Sequence, residues 1–309
     1  MNLYSQEKRR KAPFQHILDM INLPEHLKSF LPKKWKRLGS ALVLKIPDEL
    51  EDYKNEIGKT YAQVLGVHSV FKVTSTIKDE FRRPSLERIY GTTKEVVNIE
   101  NGVKYCFDVT KIMFSKGNTP ERARICKIKM NDEKVLDLFA GIGYFSLPAA
   151  KWGGARKVIA VEKNPDAFYY LKKNIALNHL QDKVIPVFGD NRTVPLEKDF
   201  DRVFMGYLFR TEEFLPLALK SLSEKGGVVH FHTKLGREEY KEKKAKKKLS
   251  IEDLSEKFKR VLMESLNSFG LVLLSARLFK VKSYAPGIYH VVFDLKLKRQ
   301  ELYEKETQH

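Results

Sequence analysis

The chain has 309 residues, 42% hydrophobic and 11% aromatic, which is enough for the cores of two domains and too apolar for a disordered segment. With 57 Lys and Arg against 39 Asp and Glu its formal charge is +18, an imbalance that implies a polyanionic partner; the alternative, a heavily charged surface like that of heat-adapted proteins, explains the 31% charged residues but not the one-sided sign. No apolar run approaches roughly eighteen residues, Met1–Lys11 is polar, and Cys106 and Cys126 form no C-x-x-C, so the chain reads as cytoplasmic, with no membrane span, no metal and no disulfide framework expected.

Residues 1–37 read as a basic N-terminal extension. Pro13, Pro24 and Pro32 punctuate it, and it ends in Lys33-Lys34-Trp35-Lys36-Arg37, either a phosphate- and base-contacting cluster or a solvated turn with Trp35 packed inward. Ala41–Ile46 is expected as a strand. After Pro47 a helix should run from Asp48 to about Leu65, with Leu50, Tyr53, Ile57, Tyr61 and Val64 on one stripe, and Val67–Ile77 alternates as a strand. The β runs between 86 and 112 are broken by Gly91 and by Asn101-Gly102, a hairpin signal. Residues 38–115 are therefore expected to form a small α+β domain.

The segment Phe114-Ser115-Lys116-Gly117-Asn118-Thr119-Pro120-Glu121-Arg122-Ala123-Arg124 leads into the second domain, 116–309. Ser115 could donate to a ligand carboxylate and Arg122 could hold one bidentately; the plain alternative is a helix capped by Thr119 with Pro120 in its first turn. Strands are expected at 134–139, 157–162, 184–188, 201–206 and 227–232, with helices near 144–151, 165–178 and 212–224. A helix near 252–268 and strands at 271–282 and 288–297 complete a seven-stranded, doubly wound, Rossmann-like α/β sheet. Between them Lys234, Arg237, Lys241, Lys243, Lys244, Lys246, Lys247 and Lys248 make a basic run, either a solvated face or a phosphate contact.

Three of these strands carry polar groups where they end, the edge at which open α/β sheets bind ligands. Val135–Phe139 runs into Ala140-Gly141-Ile142-Gly143, a tight turn that lets a ligand approach the backbone with the N–H groups of a helix start beyond it; the second strand ends in Glu162 and the third reaches Asp190. Taken singly, each is also an ordinary turn, cap or solvated strand end. D-x-F-A-G-x-G lacks the third glycine of a dinucleotide fingerprint and the Gly-Lys-Ser/Thr of a phosphate loop, so a nucleoside-bearing cofactor other than NAD or ATP is expected.

Asp137–Gly143 resembles motif I of S-adenosylmethionine-dependent enzymes. With Phe114-Ser115, Glu121-Arg122-Ala123-Arg124 and Val281-Lys282-Ser283-Tyr284-Ala285-Pro286-Gly287 it makes the chain, from about Leu38 through Lys298, resemble the archaeal and eukaryotic enzymes acting on the purine at position 37 of tRNA. One branch of that family methylates guanine N1. The other, in the wybutosine pathway, moves the 3-amino-3-carboxypropyl arm of S-adenosylmethionine to C7 of 4-demethylwyosine. The methylating branch carries Asn-Leu-Pro or Asn-Pro-Pro after the fourth strand, where this chain has Met205-Gly206-Tyr207-Leu208-Phe209-Arg210-Thr211, so the resemblance is to the aminocarboxypropyl branch. Guanine-37 methylation and a non-catalytic tRNA-binding module are the alternatives.

The resemblance implies S-adenosyl-L-methionine as donor, the anticodon arm of tRNA-Phe as partner, and a monomer. It also implies a set of cofactor contacts: Ser115 and Arg122 on the methionine carboxylate, Phe139, Ala140, Gly141 and Gly143 in the loop, Glu162 on the ribose with Lys163 beside it, Asp190 and Asn191 at the adenine edge, and Gly206. Arg122, Ser115 and Tyr207 position the reactants in this reading, and no catalytic residue is assigned.

Overall fold

The computed structural model describes residues 12–75, 83–244 and 256–307 and divides into two compact units. The first holds the described residues up to Ile99 together with Cys106–Phe114; the second holds Glu100–Tyr105 and the chain from Ser115.

In the first unit α1 (Pro13–Met20), with proline in its first turn, and a 3₁₀ turn (Glu25–Phe30) precede the antiparallel pair β1 (Lys36–Leu38) and β2 (Ala41–Leu44). A second 3₁₀ turn (Asp48–Tyr53) runs into α2 (Lys54–Leu65), which Gly66 ends in the left-handed conformation at φ +58°. β3 (Ser69–Val73) joins β2 in parallel and β4 (Leu86–Tyr90) joins β3 antiparallel, giving the order β1-β2-β3-β4. The expected end of β3 at Ile77 lies outside the described residues. β5 (Glu95–Glu100) and β6 (Val103–Asp108) form a hairpin through Asn101 and Gly102, both at positive φ (51° and 72°), the conformation that an Asn-Gly pair tolerates best.

Residues 13–31 are not a separate extension. Ile17, Ile21, Leu23 and Leu31 share one core with Leu42, Leu44, Leu50, Tyr61 and Val70, and the Tyr61 hydroxyl donates to the Pro32 carbonyl at 2.7 Å. Burying each such aliphatic side chain is worth roughly 1.5–3 kcal/mol, so the boundary expected at residue 37 gives way to one continuous core.

The second unit contains α3 (Thr119–Ile125), β7 (Lys134–Asp137), α4 (Ser146–Lys151), β8 (Lys157–Glu162), α5 (Pro165–Leu177), β9 (Val184–Phe188), β10 (Arg202–Met205), α6 (Leu215–Ser221) and β11 (Gly226–Gly236). α7 (Arg237–Lys244), α8 (Glu256–Ser268), the long hairpin β12 (Leu271–Ala285) and β13 (Ile288–Arg299), and α9 (Gln300–Thr307) follow. The sheet order is β12-β13-β11-β10-β7-β8-β9; the five strands from β11 to β9 are parallel, and β13 lies antiparallel to both of its neighbours. The chain leaves β7 on one side for β8 and β9 and on the other for β10 and β11, so the turn after β7 lies at the topological switch point. Leu136, Val161, Val203, Val229 and Phe231 of the strands pack with Leu215, Leu219, Leu262 and Leu266 of the helices.

Three local expectations are corrected. The helix expected from 144 starts at Ser146, because Gly143 and Tyr144 both donate to the Ala140 carbonyl, at 2.8 and 3.2 Å, and close a turn first. The stretch 212–224 is a 3₁₀ turn (Thr211–Phe214) followed by the shorter α6. Thr119 lies inside α3 rather than capping it, its hydroxyl donating to Glu100 at 2.6 Å. No helix among the described residues is long and apolar enough to cross a membrane.

Candidate active site

The loop after β7 takes its shape from glycine and from Glu162. Gly141 and Gly143 have φ of +56° and +96°, and a Cβ would stand 2.8 Å from the Tyr144 ring at the first and 2.6 Å from Leu147 at the second. Glu162, at the end of β8, accepts the Gly141 N–H through Oε2 and the Asn164 N–H through Oε1, both at 2.7 Å. Burial raises its carboxyl above the ordinary range, opposed by these backbone donors. The N–H groups of the loop are thus not free, as a helix start there would have left them, since Ala140 N also donates to the Val161 carbonyl at 2.9 Å. Beneath the loop Asp137 is fully buried, accepts from Ser146 Oγ at 2.7 Å, and is pushed up to about 6 by desolvation.

At the neighbouring strand end Asn191 is buried. Its Nδ2 donates to the Leu138 carbonyl at 2.8 Å, and its Oδ1 is buried with no hydrogen-bond partner among the described residues. An acceptor left in that state calls for a donor from outside the described residues, and a ligand amine at this strand end can supply one. Asp190 is expected at the same edge, but its carboxylate is engaged: Arg192 donates from Nε at 2.9 Å and from Nη2 at 2.5 Å and lowers it to about 2, with Lys163 at 3.9 Å. Asn191 is therefore the better-placed acceptor for an exocyclic amine. The Gly141 cradle, the Glu162 carboxylate and the orphaned Asn191 oxygen together fit an adenosine-bearing donor.

Aromatic side chains gather beside the loop. Phe139 stacks on Tyr207 (5.0 Å between centroids, 15° between planes) and meets Phe214 edge-on at 5.0 Å. Gly206 is required by packing, because a Cβ there would stand 2.6 Å from the Phe145 ring. Further out the Lys234 ammonium lies 4.8 Å from the ring centres of both Phe209 and Tyr284, two exposed aromatics.

Ser115 and Arg122 come together, but not in the expected way. Arg122 is 2% exposed and forms an ion pair with Glu100 through Nε, while Nη2 donates to the Ser115 carbonyl at 3.0 Å and the guanidinium lies 5.7 Å from the Tyr144 ring centre. Its charge is matched by Glu100, so a methionine carboxylate would have to displace that partner. The geometry supports a positioning role, in which Arg122 ties the Ser115 loop to Tyr144 and so to Gly141. The Ser115 hydroxyl accepts from Lys282 Nζ at 3.0 Å.

Neither basic cluster is uniformly free for RNA. Trp35 packs inward, edge-on to Tyr61 at 6.0 Å; Lys36 donates to the Phe114 carbonyl, and the exposed Arg37 donates to the carbonyls of Leu65 and Gly66 at 3.0 and 3.2 Å, while Lys33 and Lys34 are exposed as well. In the other cluster Lys246, Lys247, Lys248 and the side chains of Lys243 and Lys244 lie outside the described residues.

Part of the E-R-x-R motif serves a buried network that sequence reading did not find. Arg124 bridges Glu121 (2.7 and 2.8 Å) and Asp294 (2.6 and 3.1 Å); His230 Nδ1 sits 2.6 Å from Asp294, its Nε2 2.7 Å from Arg202, and Arg202 pairs with Glu133. Since Arg202 can only donate, His230 Nε2 accepts and Nδ1 carries the proton. Burial holds His230 below its ordinary pKa, against the pull of Asp294. Acids and bases at such long separations carry no local spacing signal.

Comparison with known proteins gives two family matches: the TRM5/TYW2 methyltransferase domain over residues 96–264 and the TYW2 N-terminal domain over residues 15–94. The tRNA(Phe) (4-demethylwyosine(37)-C(7)) aminocarboxypropyltransferase of Pyrococcus horikoshii is 43% identical over 275 residues, covering 89% of this chain and 93% of that protein. The tRNA (guanine(37)-N(1))-methyltransferase Trm5b of Pyrococcus abyssi is 35% identical over 229 residues, 74% of this chain and 67% of that protein. The crystal structure of P. horikoshii TYW2 in complex with MeSAdo matches with a TM-score of 0.76 at 40% identity, covering 93% of this chain and 98% of that one. On sequence and fold together, the chain belongs to the TRM5/TYW2 family.

Proposed function

We propose that the protein is a tRNA-modifying enzyme that transfers the 3-amino-3-carboxypropyl group of S-adenosylmethionine to C7 of 4-demethylwyosine at position 37 of tRNA-Phe. The observation that carries this over methyl transfer lies after β10. Gly206 stands against Phe145, and Tyr207 is stacked on Phe139 where the methylating branch sets an Asn-Pro turn, so no side-chain amide follows β10 to hold a guanine edge. The overall identity points the same way, 43% to the aminocarboxypropyltransferase against 35% to the methyltransferase.

The sulfonium supplies the activation: C7 attacks the arm's terminal carbon, the C–S bond breaks with its electron pair going to sulfur, and the C7 proton leaves to solvent or base. The protein's share is placement. Glu162 and the Gly141 turn seat the ribose, Asn191 reads the adenine edge, Ser115 and Arg122 shape the loop that faces the methionine arm, and the Phe139–Tyr207 stack forms an apolar wall. The same reading takes the protein as a cytoplasmic monomer on its tRNA, which sedimentation with and without tRNA checks.

Incubation with S-adenosylmethionine and tRNA-Phe bearing 4-demethylwyosine should release methylthioadenosine. Release of S-adenosylhomocysteine would move the protein to the methylating branch, and absence of both products would favour a binding module.

A further inference from the structure

β11 outruns its parallel neighbour. Its register with β10 closes at Met205 and Phe231, so His232 stands one residue further along, level with Gly206 at the ligand edge of the sheet. The His232 ring is buried and stacks on Phe145 at 5.2 Å and 22°, and the Phe145 ring fills the space that a side chain at position 206 would need. His232 Nδ1 lies 3.0 Å from Nε2 of His290 on β13. Its Nε2 is buried with no hydrogen-bond partner among the described residues, 3.7 Å from the Glu121 carboxylate on α3. Burial lowers His232 to about 3, so the ring is neutral at neutral pH and carries one N–H. On Nδ1 that proton would leave the Nε2 lone pair facing a buried carboxylate. On Nε2 it points at the carboxylate, and Nδ1 accepts from His290. Charge selects the second tautomer.

His232 therefore meets two segments of the donor site at one point: α3 through Glu121, and the exit of the Gly141 loop through Phe145. On α3 the carboxylate of Glu121 is also held by Arg124, and the next residue, Arg122, donates to the Ser115 carbonyl at 3.0 Å. We propose that His232 is a positioning residue for the transfer: by joining Glu121 to Phe145 it fixes the 115–124 segment against the Gly141 loop, so that the methionine arm of the sulfonium, and not its methyl group, meets the base. The assignment rests on S-adenosylmethionine as donor and on aminocarboxypropyl transfer as the reaction. A sulfonium activates all three attached carbons, so the carbon that stands in line is the one transferred, and a displacement of about 1 Å can cost about a hundredfold in rate. The adenosine end is seated by other residues, Glu162 and Asn191.

The test measures turnover and product identity at saturating S-adenosylmethionine and tRNA-Phe bearing 4-demethylwyosine, beside calorimetric titration of methylthioadenosine. His232→Phe keeps a ring on Phe145 and loses both nitrogens. Its kcat for methylthioadenosine release should fall about ten- to a hundredfold, and the ratio of methylthioadenosine to S-adenosylhomocysteine should fall with it, while methylthioadenosine affinity stays within about twofold of wild type. His232→Gln, whose amide can donate toward Glu121, should recover part of the rate. Phe145→Leu removes the ring from the other side of the contact and should repeat the pattern of His232→Phe. His232→Phe combined with Glu121→Gln should lose no more than the larger of the single losses, because the two side chains act through one contact. Wild-type rate and product ratio in both His232→Phe and Phe145→Leu would overturn the proposal, as would additive losses in the double variant. A rate loss matched by an equal loss of methylthioadenosine affinity would overturn it too, since that marks a structural role alone. The two levels separate in the wild type: release of S-adenosylhomocysteine there sinks the reaction assigned above and the choice of arm with it, whereas methylthioadenosine release unaltered by the variants sinks the role of His232 alone.

Discussion

The carboxylate of Glu162 hydrogen-bonds the Gly141 N–H at 2.7 Å, so the residue at the end of β8 that is read as a ribose contact also builds the loop that receives the nucleoside. Its other oxygen holds the Asn164 N–H at the entrance to α5, and the Lys163 N–H adds to these backbone donors. Glu162→Ala should weaken S-adenosylmethionine and methylthioadenosine to the same degree, by about ten- to a hundredfold. Titration of both ligands checks this, and a loss confined to one of them would take Glu162 off the ribose.

Arg122 and Glu100 form a deeply buried ion pair, at 2% and 12% side-chain exposure. Removing one partner of such a pair costs about 3–5 kcal/mol because the other is left charged and uncompensated. Arg122→Ala should therefore lower folding stability by that order in denaturant unfolding, and Arg122→Ala with Glu100→Ala should recover part of the loss. Additive losses would show that the two side chains do not depend on each other.

The parallel series from β7 to β11 is legible in the sequence because its β-branched runs and the acids and glycines at their ends are local signals. Gly141, Gly143 and Glu162 follow from spacing alone. Glu100 and Lys282 do not, since Glu100 lies 22 residues from Arg122 and Lys282 lies 167 from Ser115, and only the hairpin turn and the closing strands bring them together. The boundary at residue 37 is misplaced for the related reason that a basic surface conceals a sparse apolar set, Ile17, Ile21, Leu23 and Leu31, whose core partners come later in the chain. Tyr144 is overlooked because it reads as a helix residue, whereas the Ala140 turn leaves its ring against Gly141.

His232 sets a pH dependence. It is buried, stacks on Phe145 at 5.2 Å, and is lowered to about 3 by desolvation, with His230 and Arg124 adding to the shift. The unfolded chain titrates near 6.5, so between about 6.5 and 3 it binds a proton that the folded state does not, and stability falls as pH falls through that window by up to about 1.4 kcal/mol per unit. Asp137, raised to about 6, acts in the opposite sense, favouring the folded state as pH drops below that value. The comparison of interest is wild type against His232→Phe, whose stability should fall less between pH 7 and pH 5. Parallel curves would mean that His232 does not titrate on unfolding.

The contact with tRNA separates into charge and stacking. Lys33, Lys34 and Lys234 are described basic side chains from the two clusters; the first two are exposed, and the third lies between the Phe209 and Tyr284 rings at 4.8 Å from each. Each lysine that meets a phosphate contributes about one counterion to the salt dependence of binding, so Lys234→Gln should flatten the slope of log K against log salt by about one, and Lys33→Gln with Lys34→Gln by about two. An aromatic ring that stacks a base contributes about 1–3 kcal/mol with little salt dependence, so Phe209→Ala and Tyr284→Ala should weaken tRNA binding at an unchanged slope. Arg37→Gln should leave the slope alone and lower stability instead, because Arg37 donates to the carbonyls at the end of α2. None of these changes should alter S-adenosylmethionine affinity. Filter-binding titrations across a salt series read slope and intercept separately; an unaltered slope in Lys234→Gln together with unaltered affinity in both aromatic variants would remove this face of β11 and β12 from the tRNA interface.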